Sequence, residues 1–118
     1  MKFFLSIVLS VLVLAGCATS TAKPHEYIAS HIMCPTESDA KQALARIRAG
    51  ESFESIAREV SLDPGTRGKG GRIAYWTKAD SWSQNFAAEV KRLNVGEVSS
   101  TPVKTEFGWH IVRVDAVR

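Results

Sequence analysis

The first seventeen residues restrict what this chain can fold into, because they are almost entirely apolar. A single charged side chain, Lys2, precedes a run from Phe3 to Ala15 that contains no charge. The run is shorter than the roughly 20 apolar residues that a membrane-spanning helix needs. A basic start, a short apolar core and small residues at the end are typical of a secretory signal peptide. We therefore expect residues 1–16 to be removed on export.

The last four residues of this segment, LAGC (14–17), resemble the lipobox of bacterial lipoproteins. The resemblance implies cleavage before Cys17, with lipid on its thiol and on its new amino group. Two or more acyl chains would anchor the protein stably to a membrane. Residues 17–26 would then be a flexible tether and residues 27–118 the folded domain. Because Ala18 rather than Asp follows the cysteine, the resemblance implies the periplasmic face of the outer membrane in a Gram-negative host. The alternative is an ordinary secretory signal in which Cys17 is incidental.

The chain contains two cysteines, and the lipid interpretation leaves the second one alone. If Cys17 carries lipid, Cys34 has no partner for an intramolecular disulfide, so the fold must hold without one. Cys34 is either a reactive nucleophile or a small, half-buried side chain at the end of a strand, and we favour the second interpretation.

Charge and histidine spacing narrow the classes of function. The chain has 15 basic and 12 acidic residues, a formal net charge of +3, and loses Lys2 with the leader. This balance gives no reason to propose nucleic acid as a partner. The spacing of the three histidines does not predict a zinc site: His25, His31 and His110. We therefore expect no metal and no cofactor.

Residues 27–118 are enough for one compact domain, and their periodicity predicts an α+β fold. The segment YIASHIM (27–33) alternates like a strand that Pro35 ends, and it places His31 on the same face as Ala29. Further strands are predicted at 73–76, 103–105 and 109–114.

Helical spacing of apolar residues predicts three helices. The first covers residues 38–49, is capped by Thr36 or Ser38 and is closed by Gly50. The second covers residues 53–60, and the third has an apolar face formed by Trp82, Phe86, Val90 and Leu93. The order β-α-α-β-α-β-β indicates a small antiparallel sheet of about four strands, with helices covering one face.

Four segments of the domain carry further motifs, in this order: SHIM (30–33), FESIAREVSLDP (53–64), GGRIAYW (70–76) and GEVSSTPVKTEFGWHIVRV (96–114). Together they resemble the parvulin family of peptidyl-prolyl isomerases, over Ile28 to Val114. The closing segment is the most specific of the four. The resemblance implies a parvulin (FKBP-like) fold and cis/trans isomerisation of X–Pro peptide bonds without a cofactor.

The resemblance also implies roles for eight residues. The catalytic ones are His31, Asp63, Thr105 and His110. The substrate-binding ones are Ile73, Trp82, Phe86 and Phe107, and Trp82 departs from the family's usual Met. From the residues alone, the histidines could equally be hydrogen-bonded core residues and Asp63 a turn former before proline. Trp82 and Phe86, at i and i+4, could equally be core.

The function implied is a peptidyl-prolyl isomerase that assists the folding of exported proteins in the cell envelope. Its partners would be unfolded or extended proline-containing polypeptides, with the membrane contacted through lipid on Cys17, and we expect a monomer. The alternative is a non-catalytic chaperone or proline-peptide-binding module. The basic loop formed by Arg67, Lys69 and Arg72 is either a solvated loop or a site that favours acidic residues near the proline.

Overall fold

The structure is a computed structural model that describes residues 25–118. The predicted signal peptide, Cys17 and most of the predicted tether lie outside the described residues. The elements follow in this order: β1 (Glu26–Cys34), α1 (Glu37–Arg48), α2 (Phe53–Val60), α3 (Pro64–Arg67), β2 (Thr77–Lys78), a 3₁₀ turn (Ala79–Ser81), α4 (Gln84–Arg92), β3 (Val103–Thr105) and β4 (Gly108–Val117).

The sheet has four antiparallel strands in the order β2-β1-β4-β3. The two long strands, β1 and β4, form the central pair, while the short strands β2 and β3 form the edges. In the central pair His31 lies opposite Val112, and Met33 lies opposite His110. Both histidines therefore reach the same face of the sheet, as the alternation in the sequence predicts.

Helices cover both faces of this sheet, so the expectation of helices on one face is wrong. On one face, Val112 and Val114 pack with Phe86 and Val90 of α4. On the other face, Ile32 and Ile111 pack with apolar side chains of α1 and α2: Ala40, Ala43, Leu44, Phe53, Ile56 and Ala57. The physical reason is the apolar pair of neighbours at 111–112, since successive strand residues point to opposite faces and both must be buried. Burying each large side chain contributes about 1.5–3 kcal/mol.

Local signals set the start and end of α1. Thr36 is its N-cap, because the Thr36 hydroxyl oxygen accepts a hydrogen bond from the Asp39 backbone N–H at 3.1 Å. The helix ends at Arg48, and Gly50 follows with a φ of 101°, a conformation that suits glycine. None of the helices within residues 25–118 is both long and apolar enough to cross a membrane.

The predicted strand at 73–76 is wrong, because the chain leaves the sheet after Ile73. The Ile73 N–H donates to the Ala29 carbonyl at 2.9 Å, and Arg72 bridges to Ser30. Pairing resumes only at Thr77, opposite Tyr27. Five steps along this segment (72 to 77) therefore match three along β1 (30 to 27), and the extra residues project outward.

The two ends of the described segment lie side by side. The Glu26 N–H donates to the Arg118 carbonyl and the Arg118 N–H donates to the Glu26 carbonyl, both at 3.0 Å. β1 begins at Glu26, which is also the last residue of the predicted tether. The last strand also continues past the predicted 109–114, because its partners on β1 extend to Tyr27.

Candidate active site

The centre of the site is a pair of imidazoles contributed by β1 and β4. The Nδ1 atoms of His31 and His110 lie 3.0 Å apart, and the planes of the two rings are nearly parallel, at 11°, with centroids 5.2 Å apart. His31 is 7% exposed and His110 is 3% exposed. Two buried rings in direct contact need hydrogen-bond partners on their outer nitrogens.

Those partners are Asp63 on one side and Thr105 on the other. Asp63 Oδ2 lies 2.7 Å from His31 Nε2, and Thr105 Oγ1 lies 2.6 Å from His110 Nε2. The Phe107 backbone N–H in turn donates to Thr105 Oγ1 at 3.2 Å. The result is one continuous chain of hydrogen bonds from the β3–β4 turn to the loop after α2.

This chain of hydrogen bonds fixes which ring nitrogens of His31 and His110 carry the protons. An ionised Asp63 can only accept, so His31 carries a proton on Nε2. With one proton on each ring, His31 Nδ1 accepts from His110 Nδ1–H, and His110 Nε2 accepts from the Thr105 hydroxyl. This tautomer assignment follows from the hydrogen-bond network.

Burial and the neighbouring His31 lower the pKa of His110 to about 4, although Asp63 acts in the opposite direction. His110 is therefore neutral at physiological pH, as a single proton on the ring requires.

Asp63 is held in its position by three donors. Burial alone would raise the pKa of Asp63, but hydrogen bonds from Thr66, His31 and the Gly65 N–H bring it below its ordinary value. The Thr66 hydroxyl donates to Asp63 Oδ2 at 2.6 Å, and the Gly65 N–H donates to Oδ1 at 3.1 Å. Asp63 is therefore both the N-cap of α3 and an ionised partner of His31.

Thr66 is a site residue that the sequence reasoning missed. Its side-chain oxygen contacts Asp63 and also lies 3.2 Å from His31 Nε2, and the residue is 9% exposed. The sequence did contain a signal, because Asp63 before Pro64 has the form of an N-cap followed by proline at the first helical position. That form places the residue three positions after the cap next to the cap's side chain.

A cavity of about 740 Å³ opens beside this chain of hydrogen bonds. Phe86 lines this cavity and makes T-shaped contacts with both imidazoles, its ring centroid lying 5.7 Å from that of His31 and 5.6 Å from that of His110. Trp82 packs on Phe86 at 5.3 Å. The structure brings all eight predicted site residues to the wall of this cavity: His31, Asp63, Ile73, Trp82, Phe86, Thr105, Phe107 and His110. Their individual roles remain predictions.

Some details of the cavity wall differ from expectation. Trp82 is not on the same helix as Phe86, because α4 begins at Gln84 and Trp82 follows the 3₁₀ turn. Phe107 is 70% exposed and Tyr75, which was not predicted, is 69% exposed, so the rim presents two aromatic rings to solvent.

Metal ligation and thiol chemistry find little support within residues 25–118. No group of three or more His, Cys, Asp and Glu side chains in this part of the chain could hold a metal ion. Cys34 is 2% exposed, more buried than the half-buried position we expected. Burial, followed by the nearby Asp39, raises the pKa of the Cys34 thiol to about 11. A thiol with so high a pKa is a poor nucleophile, which favours a packing role.

The sequence model of the PPIC-type peptidyl-prolyl isomerase (rotamase) domain matches residues 31–116. The chain belongs to this family. The parvulin resemblance and the α+β fold with four antiparallel strands are therefore confirmed.

Individual parvulins give the same result. A probable parvulin-type peptidyl-prolyl cis-trans isomerase of Bordetella bronchiseptica is 37% identical over 94 residues, which is 79% of this chain and 36% of that protein. The foldase protein PrsA of Geobacillus kaustophilus is 41% identical over 86 residues, 73% of this chain and 30% of that protein. This chain thus spans about a third of the curated relatives it matches.

A parvulin of similar extent has been solved. The solution structure of NmPin, the parvulin of Nitrosopumilus maritimus, superposes with a TM-score of 0.68 and 31% identity. The superposition covers 80% of this chain and 99% of that one. The parvulin domain described here is therefore the same structural unit as a whole parvulin chain.

Proposed function

We propose that this parvulin domain catalyses cis/trans isomerisation of X–Pro peptide bonds. The observation that carries the proposal is the position of Phe86. One side of its ring contacts both histidines, and the residue lines the open cavity. The cavity therefore combines an apolar wall, which suits a proline ring, with a polar chain of fixed direction that ends at Asp63.

The reaction needs only selective binding. Partial double-bond character gives the peptide bond a rotational barrier of about 18–20 kcal/mol. No covalent bond is made or broken, so the enzyme accelerates rotation by binding the twisted amide better than either planar form. The twisted amide has a less dipolar carbonyl, and an apolar wall formed by Ile73, Trp82 and Phe86 favours that species.

Asp63 contributes through its charge. A carboxylate held close to the carbonyl of the residue before proline disfavours negative charge on that oxygen, which weakens the C–N resonance. Its low pKa keeps it ionised at neutral pH. The carboxylate must also stay in position, and its hydrogen bonds to His31 and Thr66 provide that restraint.

The histidines act in this proposal as positioning residues. Their rings are buried and bonded to one another, and His110 has a pKa near 4, which makes it a weak base. Together with Thr105 they fix the direction in which His31 presents its Nε2 proton to Asp63.

For the whole protein, we propose an envelope isomerase that assists the folding of exported polypeptides as a lipid-anchored monomer. The apolar leader and the lipobox-like residues before Cys17 support export and anchoring. A relative named foldase supports a role in folding. The clients would be unfolded or extended proline-containing chains.

The alternative is a domain that binds such chains without catalysis, because the same cavity serves both functions. Measuring isomerisation of short X–Pro peptides by NMR exchange, with the purified chain, separates the two. Catalysed exchange is the expected result. Peptide binding without any acceleration would contradict the proposal and support the binding module.

A further inference from the structure

Two cationic side chains, Lys69 and Arg72, line the cavity that holds the histidine pair. Both are exposed, and both follow Asp63 in the segment between α2 and β2. We infer that they bind an acidic side chain on the residue before the substrate proline. The inference rests on the proposed function, since it takes this cavity to be the place where the peptide binds.

The structure separates these two residues from Arg67, with which they form one basic run in the sequence. The Arg67 guanidinium turns back to α2 and donates to the Arg58 carbonyl at 2.9 Å and the Glu59 carbonyl at 3.1 Å. Arg67 thus donates two hydrogen bonds at the C-terminal end of that helix, where cations are favoured.

The backbone that carries Lys69 and Arg72 is hydrogen-bonded rather than an open, solvated loop. The Lys69 N–H donates to the Thr66 carbonyl at 2.9 Å, and the Arg72 N–H donates to the Lys69 carbonyl at 3.3 Å. The next N–H, that of Ile73, donates to β1. The two cations are therefore held on the cavity wall by a segment fixed to the central sheet.

Their charges are also available to a ligand. Six other basic side chains in the described part of the chain form ion pairs with carboxylates: Lys41, Arg46, Lys91, Arg92, Arg113 and Arg118. Within residues 25–118, neither Lys69 nor Arg72 forms such a pair. Two cations that line one cavity without carboxylate partners are suited to an anionic side chain.

Two carboxylates line the same cavity and must be weighed against them. Asp63 is already bound by Thr66, His31 and the Gly65 N–H. Glu106 reaches the cavity from the turn between β3 and β4. Lys69 and Arg72 lie on the same segment as Asp63, whereas Glu106 lies on a different one. We propose that the Asp63 carboxylate faces the carbonyl of the X–Pro bond. The two cations are therefore placed near the residue that supplies this carbonyl, which is the residue before proline.

The expected effect is modest. Ion pairs exposed to solvent are weak, so we expect an Asp before proline to bind about two- to fivefold more tightly than an Asn at the same position. The ratio of the dissociation constants of the Asn and Asp peptides should fall as salt is added, because exposed charges are screened.

The test measures dissociation constants for three short peptides that differ only in having Asp, Asn or Lys before the proline, with the full-length chain. A double variant, Lys69→Gln with Arg72→Gln, should bind the Asp and Asn peptides equally. A control with the same charge change, Lys41→Gln with Arg58→Gln, alters exposed residues on α1 and α2 and should keep the preference. Glu106→Gln should keep or increase it.

Equal binding of the Asp and Asn peptides by the unmodified chain would overturn the inference, and so would a preference that survives in the Lys69→Gln, Arg72→Gln variant. Isomerisation of the same peptides is measured in parallel. Binding that prefers Asp without any turnover would support the charge inference and refute the isomerase proposal, so the two fail separately.

Discussion

The Nδ1 atoms of His31 and His110 lie 3.0 Å apart, so one of them must donate the proton that the other accepts. The hydrogen bonds to Asp63 and Thr105 determine which one donates. We expect ¹⁵N NMR at neutral pH to show the proton of His110 on Nδ1 and that of His31 on Nε2. The reverse assignment would contradict the direction derived for the chain.

Thr105→Val tests the other end of this chain of hydrogen bonds, because it keeps the shape of the side chain but removes the donor to His110 Nε2. A buried nitrogen without a partner costs about 1–3 kcal/mol, so the free energy of unfolding should fall by that amount. Thr101→Val, at an exposed position, is the matched control and should be close to neutral. Urea denaturation of the two variants measures both values.

The low pKa of His110 predicts a stability that declines in mild acid. Its ordinary pKa of 6.5 drops to about 4 in the folded state, so between these values the unfolded chain binds the extra proton more readily. Stability is therefore fully present above about pH 6.5, and about 3 kcal/mol is lost by pH 4. Chemical denaturation at several pH values checks this.

A control for this pH effect is His25→Gln, because His25 is exposed at the start of the described segment. That variant should keep the full pH dependence, whereas His110→Gln should lose most of it. Parallel pH curves for the unmodified chain and His110→Gln would show that another group is responsible.

Asp63→Asn tests the charge at the site while keeping a side chain of the same size. The amide oxygen can still accept from the Gly65 N–H at the Oδ1 position, and the amide N–H₂ at the Oδ2 position can donate to the Thr66 hydroxyl oxygen, so the cap of α3 is largely kept. We expect kcat/KM to fall about tenfold or more, a loss of at least about 1.4 kcal/mol of transition-state stabilisation. The melting temperature should change little.

The matched change for Asp63→Asn is Asp80→Asn, in the 3₁₀ turn, where the carboxylate pairs with Lys91 on the surface. It should leave isomerisation unaltered. If Asp63→Asn retains the full rate of peptide isomerisation, the residue is only a helix cap and the catalytic role fails.

Phe86 and Phe107 should separate packing from binding, although both line the cavity. Phe86 is 4% exposed, and Phe86→Ala should cost about 3–5 kcal/mol of stability and weaken peptide binding. Phe107 is 70% exposed, so Phe107→Ala should weaken binding with little effect on melting. Peptide titrations and thermal melts on both variants give the comparison. Unchanged binding in both variants would place the peptide elsewhere.

Lipid attachment at Cys17 predicts a change of partitioning. Cys17→Ser removes the thiol that would accept lipid, so the protein should appear in the soluble fraction or remain unprocessed. Cys34→Ser is the control, because that buried thiol plays no part in anchoring. A Cys17→Ser variant that fractionates with membranes as the unmodified chain does would contradict the lipoprotein interpretation.

The histidine pair was implied by the resemblance to parvulins, and the fixed period of strand alternation allowed both rings to lie on one face. Burial does not select the face, because Ala29 and Val112 on one side and Ile32 and Ile111 on the other are all buried. The closing segment fixed Thr105 on the same turn. Only the alternation within each strand is local, since the pairing of β1 with β4 brings together residues 79 positions apart.

Loop contacts could not be obtained in this way. The position of Lys69 and Arg72 depends on a turn at Gly70 and Gly71, which have φ values of 65° and 87°. At Gly71 a Cβ atom would lie 2.4 Å from the His31 carbonyl oxygen, so the loop approaches β1 more closely than any other residue would allow. The close contact of this loop with β1 also replaces the predicted strand at 73–76. No periodic pattern of apolar residues in the sequence predicts this contact.

The paired backbones of Glu26 and Arg118 have a consequence for chain architecture. A polypeptide that enters this domain at one of them and leaves at the other returns to almost the point where it started. Such a unit can be spliced into a longer protein without stretching the flanking segments. It can also be rewired, since joining the two ends with a short linker and opening the chain at the exposed residues 94–96 should preserve the hydrogen-bonded histidines.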